Sequence, residues 1–404
     1  MFTIWTAAAP APGSDRNPTL LVIASALRAA LFPIPVITLF WKAEIGMSLA
    51  DIMWLQAIFG AATVLLEFPS GYVADRLGYR RSLLAGALFW LVGWVAYALG
   101  TTFGGMVVAE VLLGVGLAFT SGADSALLFV SLEAREDVAR YRQWEGRVRA
   151  AAQASEAVSS GVGGWLYSIA PRLPFWSQVP VAVAGLVAVA AMREAPPAAA
   201  AERMTHLARA WHIVRHALVQ HARLRSAMTL SVALGISTYV AVWLIQPWMQ
   251  RRGIPPAWFG LLWAAAHLWL AAVSLVSARV AQTFGLMPTL LGCCVLAGVS
   301  YLALALSFSP LAVVFYLGFM IVRGLQGPLL AGVLQADTPP EDRASVLSLN
   351  ALLFRLAAVV VLPPVGALGD HLGLERVLGL LSVLSPALAL LAWIAFARAH
   401  NTSG

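Results

Sequence analysis

Twelve runs of about 20 predominantly apolar residues, joined by short polar turns, leave this chain few folds, because each run is long enough to cross a bilayer as a helix. They lie at roughly 18–41, 49–70, 82–100, 104–128, 146–170, 174–192, 227–249, 257–281, 287–306, 310–334, 344–366 and 374–397. In lipid every backbone N–H and C=O must be bonded within the protein, which leaves only helices and closed barrels. Barrel strands would be about 10 residues of alternating polarity, and these runs are longer and do not alternate. The chain therefore reads as an all-α polytopic membrane protein. Its 60% hydrophobic and 11% charged residues agree, since about a quarter of a soluble domain is charged. The segment up to Pro18 lacks the basic stretch and cleavage site of a secretory signal, so the first run should be retained.

The basic residues orient the chain. Of 26, Lys42, Arg172, Arg251, Arg252 and Arg376 fall on one side, Arg28, Arg323 and Arg355 inside runs, and the remaining eighteen on the side holding both termini. The positive-inside rule places both termini in the cytoplasm. The net charge of +7 is thus a matter of orientation, and no nucleic-acid partner is expected. Cys293 and Cys294, adjacent in an apolar run, are expected to pack.

Composition shifts at Arg193-Glu-Ala-Pro196-Pro197, and a His- and Arg-rich stretch follows to Arg225. This divides the chain into 1–192, a linker at 193–226, and 227–404. Within the linker Leu207, Trp211, Val214 and Leu218 recur at helical spacing opposite Arg209, His212, Arg215 and His216, the pattern of a helix lying on a membrane surface. The halves echo each other. Glu110-Val-Leu-Leu-Gly114 precedes Asp124 by the spacing at which Arg323-Gly-Leu-Gln326-Gly327 precedes Asp337, as expected of two parallel repeats.

Between the second and third runs stands Gly71-Tyr-Val-Ala-Asp75-Arg76-Leu-Gly78-Tyr-Arg80-Arg81. The pattern G-x-x-x-D-R-x-G-x-[RK]-[RK] at this junction resembles the signature of the major facilitator superfamily. That resemblance implies two pseudo-symmetric six-helix bundles around a central cavity, working by alternating access. The match departs at Tyr79, where arginine is usual, and its counterpart after the eighth run is reduced to Arg279 and Gly285. Asp75 is expected to sit against the positive N-terminal end of the eleventh helix, near Arg343, as a latch on the cytoplasmic side. Such a contact is worth about 0.3–1 kcal/mol. Gly71 and Gly78 would permit close approach and a tight turn, with Arg76, Arg80 and Arg81 at the headgroups. Arg323-Gly-Leu-Gln326-Gly327 also resembles the R-x-x-Q-G pattern that drug:proton antiporters of this superfamily carry in helix four. Here it falls in the tenth, and the fourth has Glu110 at the arginine's place.

Charges inside a membrane cost at least about 2.5–3.5 kcal/mol each at a helix centre and are kept for pathways or pairs. Arg28, Glu156, Arg323 and Arg355 lie near mid-depth, with Glu110 shallower. The resemblance places all five on helices that line or flank the cavity. One reading is structural pairing, Arg28 with Glu156 for example. The C-terminal half, however, has two deep arginines and no acid at comparable depth, because Asp337 and Asp370 stand at helix ends. Arg323 and Arg355 are therefore expected to face water and receive an anionic group, with Arg28 and Gln326 also on the cavity. Glu110 and Glu156 are the candidates for proton loading. Glu67 is a third, with the nearby arginine cluster as its competing partner.

No H-E-x-x-H, G-x-S-x-G, Walker loop or metal-spaced Cys/His cluster is present, so no enzyme, cofactor, metal or self-contained ATP pump is expected. The residues and the resemblance together lead to a secondary active transporter, coupled to protons and exporting a small amphipathic or anionic organic molecule. Import, uniport, and a non-transporting membrane receptor are the alternatives. The expected partners are substrate, protons and lipid around a monomer. Abundant Arg and Ala beside scarce Lys suggest a bacterial inner membrane.

Overall fold

The computed structural model describes residues 16–194, 214–339 and 342–401, apart from the side chains of Phe68, Tyr72, Asp75, Ala344 and Asn401. Those residues form helices and no strands. The N-terminal half comprises α1 (Asn17–Ala29), α2 (Ile37–Ala43), α3 (Leu49–Leu77), α4 (Tyr79–Leu99), α5 (Phe103–Thr120), α6 (Ala123–Glu133), α7 (Tyr141–Ile169) and α8 (Leu173–Ala190). The C-terminal half comprises α9 (Ala222–Arg251), α10 (Pro256–Phe284), α11 (Leu286–Leu306), α12 (Tyr316–Ala336), α13 (Arg343–Leu372) and α14 (Leu374–Asn401).

Two predicted spans are broken. The first divides into α1 and α2 because Pro33 and Pro35 lack the N–H an α-helix needs, leaving a short 3-10 turn at Ile34–Val36. The fourth breaks at Ser121 and Gly122, where Gly122 takes φ +79 and α6 starts afresh at Ala123. Eleven spans are long and apolar enough to cross a membrane by length and composition. The twelfth, α7, is as long but opens with Arg142, Glu145, Arg147 and Arg149. It is held in place by packing against α1 and α10. The linker pattern at Leu207, Arg209, Trp211 and His212 lies outside the described residues. Val214 and Leu218 pack on the core of the C-terminal half, and His221 caps α9 by accepting the Leu224 N–H.

The halves meet along two seams, α3 against α13 and α7 against α10. Both are tightest on the face opposite the termini. There the Thr38 N–H donates to Gln246 Oε1 at 3.0 Å, and Gln246 Nε2 donates to the Ile34 carbonyl at 2.8 Å. Trp41 and Trp243 stack across the halves with centroids 6.0 Å apart. Gly164 and Gly260 bring α7 and α10 backbone to backbone: a Cβ on Gly260 would stand 2.2 Å from the Ser160 carbonyl oxygen. This face is closed, and the two cavities described next lie toward the termini.

Candidate functional site

In the C-terminal half a cavity of about 290 Å³ is bounded by α9, α12 and α13. Arg323 and Gln326 of α12 share its wall with Asn350 and Phe354 of α13 and Tyr239 of α9. Arg323 has no hydrogen bond or ion pair among the described residues. Gln326 Oε1 and Asn350 Oδ1 are buried without a donor. Tyr239 and Phe354 meet edge to face at 5.4 Å. A cation, two amide side chains and an aromatic wall thus line one space, the arrangement of a site for a small organic ligand.

The N-terminal half holds a second cavity of about 520 Å³, bordered by Arg28, Asp124, Glu145 and Arg149. Arg28 does not pair with Glu156, as the sequence had suggested, but with Asp124 at 2.9 Å. The break before α6 causes this, because it turns Asp124 in toward α1. Its counterpart Asp337 pairs with Arg223 at 3.2 Å. The echo between the halves therefore includes an arginine delivered by the first span of each half, though at different depths.

Arg355 is the larger correction. It is not an unpaired cation awaiting a ligand: it donates to Glu67 of α3 at 2.6 Å. Glu67 in turn is not taken by the loop arginines. The pair crosses the halves, joining α3 to α13. Reversing either charge places like charges in contact, worth about 4 kcal/mol at 4 Å in an effective dielectric of 20. Glu67→Arg or Arg355→Glu alone should lower transport at least tenfold, since about 1.4 kcal/mol suffices for that. The double swap should recover most of it, read as initial uptake or efflux rates in vesicles.

Glu156 faces a residue that sequence reasoning passed over. His267 Nε2 lies 3.9 Å from Glu156 Oε1, across the α7–α10 seam. His267 Nδ1 lies 3.0 Å from the Trp263 carbonyl oxygen. A carbonyl only accepts, so Nδ1 carries a proton and a neutral imidazole turns a lone pair toward Glu156. Carboxylate and lone pair are both acceptors, so the two groups bond only when one proton sits between them. The available sign was a lone polar side chain in Trp263-Ala-Ala-Ala-His267-Leu-Trp. Attention to Asp, Glu, Lys and Arg alone missed it.

Glu110 is not on the cavity wall. It is 5% exposed, accepts a hydrogen bond from the Tyr97 hydroxyl, and accepts another from Gln56 Nε2 at 3.2 Å. In the loop motif, Gly71 and Arg76 are exposed, and Gly78 adopts φ +103 between α3 and α4. Arg80 N–H donates to Glu194 at 3.1 Å and its guanidinium to the Ala190 carbonyl at 2.8 Å, while Arg81 reaches the Leu77 carbonyl at 3.4 Å. The turn is thus clasped to the end of α8. The side chain of Asp75, on which the expected latch depends, lies outside the described residues.

Eleven apolar spans and α7, arranged in two halves with charged side chains on a cavity in each, make this a multi-pass membrane protein. The chain belongs to the Major Facilitator Superfamily, whose family model matches residues 19–362. It is similar to the tetracenomycin C resistance and export protein of Streptomyces glaucescens, with 27% identity over 175 residues, 42% of this chain and 32% of that protein. It is also similar to the quinolone resistance protein NorA of Staphylococcus aureus, with 21% identity over 143 residues, 35% of this chain and 36% of that protein. These matches span about a third of each relative's length. Among solved structures, the nucleoside transporter NupG superimposes with a TM-score of 0.80 at 14% identity, covering 94% of this chain and 99% of that one. A POT family transporter in complex with 5-aminolevulinic acid gives 0.75 at 13% identity, covering 96% and 98%. At such identities the likeness concerns the fold.

Proposed function

We propose that the protein is a proton-coupled exporter of a small organic molecule carrying an anionic group, working by alternating access in a bacterial inner membrane with both termini cytoplasmic. The observation that carries this reading is Arg323, a cation without an ion-pair partner among the described residues, on the wall of a cavity that amide and aromatic side chains also line. An anion there would complete a charge-assisted pair. Export is supported by the similarity to two bacterial proteins named for resistance, one of them also for export. Orientation is supported by the bias of basic residues toward the terminus side.

The proton would be carried at Glu156 and His267, which join the two halves and can bind each other only through it. Glu110, by contrast, is enclosed by Tyr97 and Gln56 within the N-terminal half. Proteoliposomes with an imposed pH gradient test the reading against a panel of anionic, neutral and cationic amphiphiles. Anionic compounds should accumulate against their gradient, and Glu156→Gln should abolish accumulation while leaving downhill exchange. Accumulation undiminished in Glu156→Gln, or selectivity for cationic compounds, would overturn it.

A further inference from the structure

The loop motif occurs twice. Gly366-Ala-Leu-Gly-Asp370-His371-Leu-Gly373-Leu-Glu-Arg376 repeats the spacing of Gly71-Tyr-Val-Ala-Asp75-Arg76-Leu-Gly78-Tyr-Arg-Arg81, with glycine, aspartate, a basic side chain, leucine, glycine and arginine in register. The backbone repeats as well. Gly78 joins α3 to α4 at φ 103 and ψ 151, and Gly373 joins α13 to α14 at φ 86 and ψ 156, a joint that Gly285 also makes between α10 and α11 at φ 88 and ψ 152. Because α3 and α13 run in opposite directions through the membrane, the two copies stand on opposite faces.

In the second copy the aspartate's contact is visible. Asp370 Oδ1 accepts the Leu49 N–H at 2.9 Å, and Oδ2 accepts the Ala50 N–H at 2.8 Å. These are the first amides of α3, which no carbonyl within the helix can bond and which carry its positive end. Ser48 and Asp51 satisfy each other's amides beside them, so Asp370 supplies the acceptors that the capping box leaves out. Gly366 permits the approach: a Cβ there would lie 2.7 Å from the Leu49 carbonyl oxygen and from the Ala50 Cα. Asp370 belongs to the C-terminal half and α3 to the N-terminal half, and the contact lies on the closed face.

We infer that Asp370 is the latch of this face, a mirror copy of the motif in the second-to-third turn, and that the two aspartates work in alternation. Rocking the halves to open this face pulls α13 off the start of α3 and breaks both hydrogen bonds. The same motion brings the end of α3 toward the start of α13 on the terminus side, where Asp75 would take up the equivalent role. Each latch stabilises one end state, and their balance sets the ratio between the two. This rests on the alternating-access reading above.

The test measures the distance between spin labels on Glu44→Cys and Gln250→Cys, one in each half on the closed face. The whole protein is used in lipid nanodiscs, with Cys293 and Cys294 replaced by Ala. Asp370→Asn keeps the shape but removes the charge, and should shift the ratio toward the open state by about two- to fivefold. Asp75→Asn should shift it the other way, and the double variant should return near the parent. Asp370→Glu, which keeps the charge, should shift it less than Asp370→Asn and controls for folding. Shifts in the same direction for both Asn variants, or none for Asp370→Asn, would overturn the latch. A parent distance that never responds to pH or substrate would instead overturn alternating access.

Discussion

Arg323→Ala should weaken binding of an anionic substrate by about 2–5 kcal/mol, the range found when one partner of a desolvated charge pair is truncated. The size follows from its setting. No other described residue pairs with this guanidinium, so the substrate's charge would be left facing Gln326 and Asn350, which do not neutralise it. Arg323→Lys should recover only part of the loss, because an ammonium cannot present the guanidinium's two parallel donors. Titration calorimetry or ligand-induced thermal shift on the purified variants reads the effect. A variant with lowered melting temperature and unchanged affinity would make Arg323 a brace for α12. Asn350→Ala provides a graded comparison, since it removes a neutral partner and should cost about 0.5–1.5 kcal/mol.

A second large effect is expected at the α7–α10 seam. Gly260→Val sets a side chain against the Ser160 and Gly161 carbonyl oxygens, which lie 2.2 and 2.9 Å from the position of its Cβ. Backbone of a neighbouring helix cannot swing aside as a side chain would. Overpacking of this kind costs about 1–3 kcal/mol, which here falls on the closed state alone because α7 and α10 belong to different halves. The closed state should therefore lose roughly one to two orders of magnitude of population, and net transport should fall with it. Labelling of a cysteine at Thr38 by a membrane-impermeant reagent should rise. Unchanged labelling together with normal transport would mean that the seam has slack the static contacts do not reveal. Gly164→Val should act in the same direction, since a Cβ there stands 2.6 Å from the Pro256 carbonyl oxygen.

These two sites differ in how readily the sequence announces them. Arg323 is a charge in a lipid-length apolar run, visible from composition alone. Gly260 is one of 33 glycines, and only the approach of Ser160, 100 positions away, marks it. The same contrast separates Glu67 and Arg355. Each was recognisable as a membrane-embedded charge, yet their pairing across 288 positions depends on which faces of α3 and α13 meet. Asp370 stands between these cases, because its motif is written plainly but its partners are backbone amides of a helix more than 300 residues earlier.

By itself the sequence determined that the protein lives in a membrane, that it crosses as helices, how many spans there are, which face carries the basic residues, and to which superfamily the second-to-third turn points. Those are local properties: the length of an apolar run against a bilayer's thickness, and the need of every buried backbone group for an internal partner. Tertiary structure alone decided that the fourth span breaks to give Asp124 to Arg28, that Glu110 is sealed behind Tyr97, that His267 meets Glu156, and that the face opposite the termini is the one closed. Run lengths leave each helix free to rotate about its axis. Rotation and crossing are set by packing of small residues and polar partners far apart in the chain, and they determine which charges become pairs and which, like Arg323, have no partner among the described residues.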